Sequence, residues 1–240
     1  MRIAMWSGPR NLSTAMMYAF ASRPDTSVID EPFYSAYLKA TGLKHPMADE
    51  ILASQPVDPN TVVDTLLGRI PNGQSVFYQK HMTQHMIDGM PRGWMTSVKN
   101  VFLIRHPARV VASFSAKYEN PTVDDLGFTQ QLELFRQVAD LGERPLVVDS
   151  TDIRHDPETM LRLLCNSLGL SWTPAMLSWK SGGHPADGVW AKHWYGGVHA
   201  STGFAKAEGA LPQLSVDKRA LVDQVMPAYE ELRSYKISAN

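Results

Sequence analysis

Apolar residues in this chain gather in short continuous runs, separated by stretches with helical spacing. The clearest runs cover residues 2–6, 75–79, 100–105 and 145–148, and a weaker run covers residues 27–30. Because polar residues do not alternate with apolar ones inside these runs, each predicts a strand that is covered on both faces. Such strands are typical of a parallel sheet that lies between two layers of helices.

Helical patterns fill the connections between the predicted strands. Apolar residues recur at helical spacing after the first run, over residues 107–114 and over residues 128–139. A further helix is bounded by Asp156 as its N-cap, Pro157 at its first position and Gly169 just beyond its end. Strands that alternate with helices predict a doubly wound α/β fold, with a mainly parallel sheet flanked by helices. Ligands of such folds bind beyond the carboxyl ends of the strands.

Composition and charge narrow the class of protein. The 240 residues predict one domain over residues 1–240, and a formal net charge of -1 argues against nucleic-acid or membrane partners. Cys165 is the single cysteine, so an intramolecular disulfide is excluded, a cysteine-based zinc site is disfavoured and a cytoplasmic location is expected. No apolar run approaches the roughly 20 residues of a membrane span, and the N-terminus does not resemble a signal peptide.

The loop after the first predicted strand has the features of an anion site. Residues 5–17 read MWSGPRNLSTAMM, and the loop N–H groups and the positive helix end are predicted to face the same space. Arg10 adds a guanidinium suited to phosphate or sulfate oxygens, and Ser13 and Thr14 add hydroxyls. The P-loop pattern of nucleoside triphosphatases is broken, because Ser13 replaces its second glycine and Thr14 its lysine. A plain turn with a helix cap and a surface arginine is an open alternative.

A second segment predicts further basic and polar side chains at the same edge of the sheet. Residues 100–114 combine a buried strand, Arg105 at its end and a proline-started helix that carries Ser113 two turns later. Arg105 is therefore expected at the carboxyl edge, on the side where the first loop opens. Taken alone, it is equally explained as an ordinary arginine at a strand end.

Together, the two segments resemble the nucleotide-binding elements of the sulfotransferase family, which uses 3'-phosphoadenosine 5'-phosphosulfate as donor. GPRNLST resembles the family's 5'-phosphosulfate loop, often written PRSGTT or PKSGTT, and LIRHPARVVASF resembles its 3'-phosphate element, commonly R-D-P-R-D-x-x-x-S. Residues 146–170 are similar to the family's strand, loop and leucine-rich helix. The resemblance implies a P-loop nucleotide-binding-like fold, catalysis without a metal, and cofactor contacts from Arg10, Asn11, Ser13, Thr14, Arg105 and Ser113.

The chain also departs from the family pattern. Leu12 replaces the usual loop glycine, Asn11 the usual serine, and His106 and Arg109 stand where acidic residues are common. Glycine at the position of Leu12 permits close approach of the backbone to the sulfonated phosphate. Five side chains expected to bind the donor match the family pattern: Arg10, Ser13, Thr14, Arg105 and Ser113.

Sulfuryl transfer needs a group that stabilises the leaving nucleotide and usually a base that takes the proton of the acceptor. Arg10 fits the first role. His81 is one candidate base, because it ends a predicted strand ahead of Arg105, where cytosolic family members have a similar Lys-Thr-His-Leu stretch, and because imidazole accepts protons near neutral pH. Glu31 is the other, because some bacterial members resemble its Glu-Pro element. A metal site of His81, His85 and Glu31 is a weaker alternative without zinc-type spacing.

Two segments leave their roles open. Residues 190–204 are expected to form either a lid over the nucleotide or a packing segment built on Trp190, Trp194 and Tyr195. Residues 32–74 carry no signature that identifies the acceptor.

The leading hypothesis is a sulfotransferase that acts on a hydroxyl or amine of a small-molecule acceptor. An ATP-dependent kinase or transferase and a non-catalytic nucleotide-binding protein are the alternatives. The oligomeric state is not predicted.

Overall fold

The computed structural model describes residues 1–118 and 120–238, so the predicted domain of residues 1–240 includes residues 119, 239 and 240, which lie outside the described ones. Within the described residues, five parallel strands form a sheet of order β2-β3-β1-β4-β5. The strands are β1 (Arg2–Ser7), β2 (Thr26–Asp30), β3 (Val76–Met82), β4 (Lys99–Ile104) and β5 (Leu146–Asp149). The sequence predicted their positions, but β3 continues beyond Gln79 to Met82. That the chain is one domain stays a prediction.

Helices connect the strands. They are α1 (Ser13–Ala21), α2 (Tyr34–Thr41), α3 (Ala48–Ser54), α4 (Pro59–Leu67), α5 (Pro107–Ser115), α6 (Val123–Leu126), α7 (Phe128–Asp140), α8 (Ser150–His155), α9 (Pro157–Leu168), α10 (Ala191–Trp194), α11 (Gly196–His199) and α12 (Val216–Ser234). The helices α1, α5, α7 and α9 match predicted ones. Asp156 caps α9 by accepting a hydrogen bond from the Thr159 backbone N–H at 3.1 Å, and Gly169 ends it with a φ of 74°.

Apolar cores cover both faces of the sheet. On one face, Ala4, Trp6 and Phe102 pack against helices that include α2, α5, α7 and α12. On the other face, Met5 and Leu103 pack against α1 and α9. This arrangement confirms the doubly wound α/β fold. None of the helices in the described part of the chain combines the length and the apolar content needed to cross a membrane.

The carboxyl ends of the strands share one edge of the sheet, because the strands are parallel. Asp30, the last residue of β2, pairs in register with Lys80 of β3. Glu31 follows β2 directly, Arg105 follows β4 directly, and the predicted anion loop follows β1. The topology therefore gathers the candidate residues of distant segments at this edge.

Candidate active site

A pocket of about 310 Å³ opens at the carboxyl edge of the sheet. Its volume lies within the range of sites for small molecules and cofactors. The residues predicted to bind the donor and Glu31 all line it, which brings together Arg10, Asn11, Ser13, Thr14, Glu31, Arg105 and Ser113. The two resemblance segments therefore contribute to one cavity.

The loop between β1 and α1 turns through left-handed backbone conformations. Arg10 has a φ of 62° and Leu12 a φ of 73°, a region that glycine enters most readily. Leu12 thus adopts the conformation that the family's glycine would provide. Gly8 is required for a different reason, since a Cβ there would collide with the carbonyl oxygen of Leu126.

No side chain caps the amino end of α1 among the described residues. Leu12 is the N-cap residue, and the first turn of this helix carries no acidic side chain. The first N–H groups of a helix have no partner within the helix, and they carry a partial positive charge. The loop and the start of α1 therefore offer donors to an anion in the pocket.

Arg10 and Arg105 lie side by side in the pocket. Arg105 donates a hydrogen bond from Nη1 to the Arg10 carbonyl oxygen at 2.6 Å, and Arg10 donates from Nε to Ser113 Oγ at 2.8 Å. Burial and the neighbouring charge of Arg105 lower the pKa of Arg10. Two guanidinium groups this close favour a shared anion.

Arg105 also contacts an acidic residue that the sequence did not single out. It pairs through Nη2 with Glu208, which also forms an ion pair with Arg154 at 2.7 Å and with Arg109 at 3.3 Å. Burial opposes ionisation of Glu208, but the arginines outweigh it and lower the pKa of the carboxyl. A carboxylate of the chain itself thus lies beside the residues expected to bind the donor.

A buried acidic cluster forms the wall of the pocket at β2 and β3, opposite to Arg105, which follows β4 three strands away from β2. Lys80 Nζ lies 2.7 Å from Asp30 Oδ1, 2.5 Å from Glu31 Oε1 and 2.6 Å from the Tyr195 hydroxyl. Tyr195 also accepts from Trp190 Nε1 at 3.0 Å. With its acceptor sites engaged by Lys80 and Trp190, the Tyr195 hydroxyl has its single proton left to donate to a carboxylate.

Charge in this cluster is unbalanced, because two carboxylates share one ammonium group. Burial lowers the pKa of Lys80, but Asp30 and Glu31 outweigh that effect and leave it raised. Burial raises the pKa of Asp30 against the pull of Lys80. Asp30 therefore holds a proton more readily than an ordinary aspartate does.

Glu31 presents one free oxygen to the pocket. Its Oε1 is engaged by Lys80 and Tyr195, whereas no donor within residues 1–118 and 120–238 binds its Oε2. Its backbone has a φ of 40° directly before Pro32, a conformation that costs on the order of 1 to 3 kcal/mol in a residue other than glycine. Strain of this kind concentrates at functional sites.

The structure does not bring His81 to the pocket. Because β3 extends to Met82, His81 lies inside the strand, and its side chain leaves the sheet on the face opposite to Lys80. Its ring is 2% exposed, stacks on Trp6 with ring centroids 4.5 Å apart, and lies 3.3 Å from Gln79 Oε1. Burial, with smaller contributions from His85 and Lys80, lowers the pKa of His81 to about 3.

Aromatic and imidazole rings line the rest of the pocket. His85 stacks between Tyr34 and Tyr37, at centroid distances of 4.6 Å and 4.9 Å, and Tyr34 bonds to His45 Nδ1 at 2.9 Å. Burial lowers the pKa of His85 well below its usual range, so this ring is neutral. The remaining rings of this aromatic wall are Phe114, Tyr118 and Trp194.

The segment of residues 190–204 contributes both packing and pocket lining. Trp190 is buried and Tyr195 belongs to the acidic cluster, while Trp194 and Val198 face the cavity. In the part of the chain that the structure describes, no group of three or more His, Cys, Asp or Glu side chains is arranged to hold a metal ion.

Comparison with known proteins identifies the family of the chain. A family model described as a sulfotransferase domain matches residues 1–236. The chain belongs to this family. The predicted family is thereby confirmed over almost the whole sequence.

Individual relatives of the sulfotransferase domain extend the comparison. Branched-chain-amino-acid aminotransferase-like protein 1 of Arabidopsis thaliana is 38% identical over 234 residues, which cover 97% of this chain and 42% of that protein. The chain thus spans about two fifths of that relative's length.

Solved structures share the fold at low identity. The sulfotransferase domain from the Synechococcus PCC 7002 olefin synthase superposes with a TM-score of 0.51 at 19% identity, over 94% of each chain. A sulfotransferase from Alicyclobacillus acidocaldarius superposes with a TM-score of 0.52 at 12% identity, over 98% of this chain and 96% of that one.

Several residues of the candidate site were not predicted from the sequence. Lys80 stands next to His81, and the two-residue repeat of a strand was the available signal that only one of them faces a given side. Tyr195 was named only within a segment expected to be a lid or a packing element, and its contacts with Lys80 and Glu31 were not predicted. Glu208 comes from a segment far along the chain, and no local pattern connects it to the pocket. The aromatic wall was visible only as scattered rings.

Proposed function

We propose that this sulfotransferase domain transfers a sulfuryl group from 3'-phosphoadenosine 5'-phosphosulfate to a hydroxyl or amine of a small molecule. The observation that carries the proposal is the convergence of Arg10, Arg105 and Ser113 on one cavity with Glu31 on its opposite wall. Basic groups that hold the two anionic groups of the nucleotide, and a carboxylate that accepts the proton of the acceptor, are the elements that this reaction requires.

Donor binding is assigned to the two basic segments. Arg10, Ser13, Thr14 and the N–H groups at the start of α1 would hold the 5'-phosphosulfate, and Arg105 with Ser113 would hold the 3'-phosphate. Asn11 would support the loop, because it is buried and donates to the Leu103 carbonyl oxygen at 3.2 Å. Its Oδ1 is buried without a hydrogen-bond partner among the described residues.

Glu31 is assigned the role of base in preference to His81. As the acceptor oxygen or nitrogen bonds to sulfur, the bond from sulfur to the bridging oxygen of the donor breaks, and the acceptor proton passes to Glu31 Oε2. Arg10 would stabilise the charge that develops on the leaving nucleotide. Lys80 and Tyr195 would hold Glu31 Oε1 in place, which leaves Oε2 directed to the acceptor.

The aromatic wall supports an acceptor that stacks on rings. His85 is neutral, and Lys80 is committed to the acidic cluster, so this side of the pocket offers little attraction to an anionic acceptor. We therefore propose an acceptor without a carboxylate or phosphate, small enough to share the cavity with the sulfuryl group. The single buried Cys165 supports a cytoplasmic location, which we also propose.

Transfer of labelled sulfuryl groups tests the proposal. The purified protein is incubated with the radiolabelled phosphosulfate donor and a panel of aromatic alcohols and amines, in parallel with Arg10→Ala and with ATP plus magnesium. We expect label in at least one acceptor, loss of transfer in Arg10→Ala, and no turnover of ATP. Turnover of ATP at a rate that follows the purified protein would favour a kinase instead.

A further inference from the structure

Glu208 lies at the centre of an arginine cluster, here defined as Arg105, Arg109 and Arg154. Its side chain is only 5% exposed. The surrounding stretch, residues 204–211 and here called the Glu208 segment, forms no helix or strand and is largely exposed. An irregular segment thus inserts one carboxylate into a site built from arginines.

The arginine cluster also holds the backbone of the Glu208 segment. Arg154 donates hydrogen bonds to the carbonyl oxygen of Lys206 at 2.7 Å and 3.0 Å, and Arg109 donates to the carbonyl oxygen of Gly209. The arginines come from α5, α8 and the end of β4, which are parts of the folded core. Displacement of the carboxylate therefore requires movement of the irregular Glu208 segment rather than of the helices and strand that carry the arginines.

Glu208 does not satisfy all the hydrogen-bond donors of the arginine cluster. Arg105 Nε is buried and finds no acceptor within the described residues, and Glu208 Oε2 makes no hydrogen bond of good geometry even though Arg109 lies 3.3 Å away. One carboxylate also leaves the cluster with excess positive charge. A phosphate group presents more charge and three acceptor oxygens, which match donors that arrive from different directions.

The cluster adjoins the pocket at the place assigned to the 3'-phosphate. Arg105 belongs to both the cluster and the pocket lining, and Arg10 links it to Ser113 through the contacts described above. An anion bound to Arg105 and Ser113 would meet the carboxylate of Glu208. Two like charges held by the same guanidinium group repel each other, so the bound anion and the Glu208 carboxylate compete for Arg105.

We propose that Glu208 is an internal competitor for the 3'-phosphate of the donor, and that Arg109 and Arg154 join Arg105 in binding the phosphate when the carboxylate leaves. This inference rests on the proposed function, since the phosphate is that of the donor nucleotide. Binding exchanges one anion for another, with no covalent change. The apparent affinity for the 3'-phosphorylated nucleotide is weakened by about the ratio of protein with Glu208 bound to the arginines to protein with Glu208 released.

Calorimetric titration of Glu208→Gln tests the competition. The ligands are 3'-phosphoadenosine 5'-phosphate and adenosine 5'-phosphate, and Glu231→Gln is the matched control, because Glu231 pairs with Arg136 on the surface away from the pocket. We expect Glu208→Gln to bind the 3'-phosphorylated nucleotide about tenfold more tightly than the wild type does. This factor applies when the wild-type protein with Glu208 on the arginines is in roughly tenfold excess over the protein with Glu208 released. Affinity for adenosine 5'-phosphate stays the same, and Glu231→Gln changes neither affinity.

Unchanged or weaker binding of the 3'-phosphorylated nucleotide by Glu208→Gln would overturn the role of Glu208. If wild type still preferred this nucleotide over adenosine 5'-phosphate, the proposed function would survive that result. Equal affinities for both nucleotides, in wild type and in Glu208→Gln, would overturn the proposed donor as well.

Limited trypsin digestion of the unmodified protein gives a second measurement that needs no variant, because Lys206 is an exposed cleavage site within the Glu208 segment. We expect cleavage after Lys206 to be faster with saturating 3'-phosphoadenosine 5'-phosphate than with saturating adenosine 5'-phosphate, because the phosphate takes over the arginines that hold the carbonyl oxygens of Lys206 and Gly209. Equal or slower cleavage would mean that the segment stays in place with the nucleotide bound, and it would overturn the inference.

Discussion

Replacement of Glu31 by glutamine separates chemistry from binding in this site. The glutamine keeps the shape of the side chain and can still accept hydrogen bonds from Lys80 and Tyr195, but it cannot take a proton at the position of Oε2. Loss of a general base typically lowers the rate about 100-fold to 10,000-fold, which corresponds to about 2.7 to 5.4 kcal/mol of transition-state stabilisation. We expect a loss in this range.

Glu31→Gln should leave the fold and the donor site intact. Lys80 keeps its ion pair with Asp30 at 2.7 Å, so no buried ammonium group is left without a partner. We therefore expect the free energy of unfolding to change by less than about 2 kcal/mol. The dissociation constant of 3'-phosphoadenosine 5'-phosphate should change by less than about threefold, since Glu31 lies across the pocket from Arg105 and Ser113.

The assay is single-turnover conversion of the phosphosulfate donor with an acceptor found by screening, in parallel with nucleotide titrations. His81→Gln is the comparison variant, and we expect it to keep the rate within a few-fold, because its ring lies in the core beside Trp6. A normal rate in Glu31→Gln together with a large loss in folded His81→Gln would refute the assignment of the base.

Two further predictions concern stability. Folded His81 has a pKa of about 3 and unfolded histidine has one of about 6.5, so the unfolded state binds more protons between these pH values. The free energy of unfolding should therefore fall by about 1.4 kcal/mol per pH unit as the pH drops through this window. In urea titrations, His81→Gln should show a pH dependence of the unfolding free energy that is smaller by this amount, and an equal pH dependence would contradict the burial of a neutral ring. Lys80→Met leaves Asp30 and Glu31 buried without their ammonium group and should lower the free energy of unfolding in urea by about 3 to 5 kcal/mol. The control Lys236→Met breaks the more exposed pair with Asp152 and should lower it by less than about 1 kcal/mol. Similar losses in both variants would contradict a buried acidic cluster that depends on Lys80.

Much of the fold could be predicted from the sequence, because strands buried on both faces leave unmistakable apolar runs. No helices were predicted for α2, α3 and α4, which lie in the connection between β2 and β3. No helix was predicted for α12 either, where apolar residues such as Val225 and Leu232 are diluted by charges and the chain includes Pro227. Packing against α5 and α7 stabilises α12, and such distant contacts leave no local pattern.

The residues of the candidate site could be predicted only where a recognisable motif follows the end of a predicted strand. Arg10, Ser13, Arg105 and Ser113 follow strand ends in recognisable motifs, and the structure brings them to one cavity. His81 was predicted at a strand end, but β3 continues to Met82, and the His81 side chain packs in the core beside Trp6. Glu208 reaches Arg105 from 103 residues away, a contact that only the folded chain creates.

Calorimetry with the wild-type protein measures whether the pocket distinguishes a nucleotide with a 3'-phosphate from one without it. We expect 3'-phosphoadenosine 5'-phosphate to bind about 30-fold more tightly than adenosine 5'-phosphate, since charge-assisted hydrogen bonds contribute about 2 kcal/mol net of the displacement of Glu208. Arg105→Ala should abolish most of this difference while affecting adenosine 5'-phosphate less. Equal affinities of the wild-type protein for the two nucleotides would contradict the account.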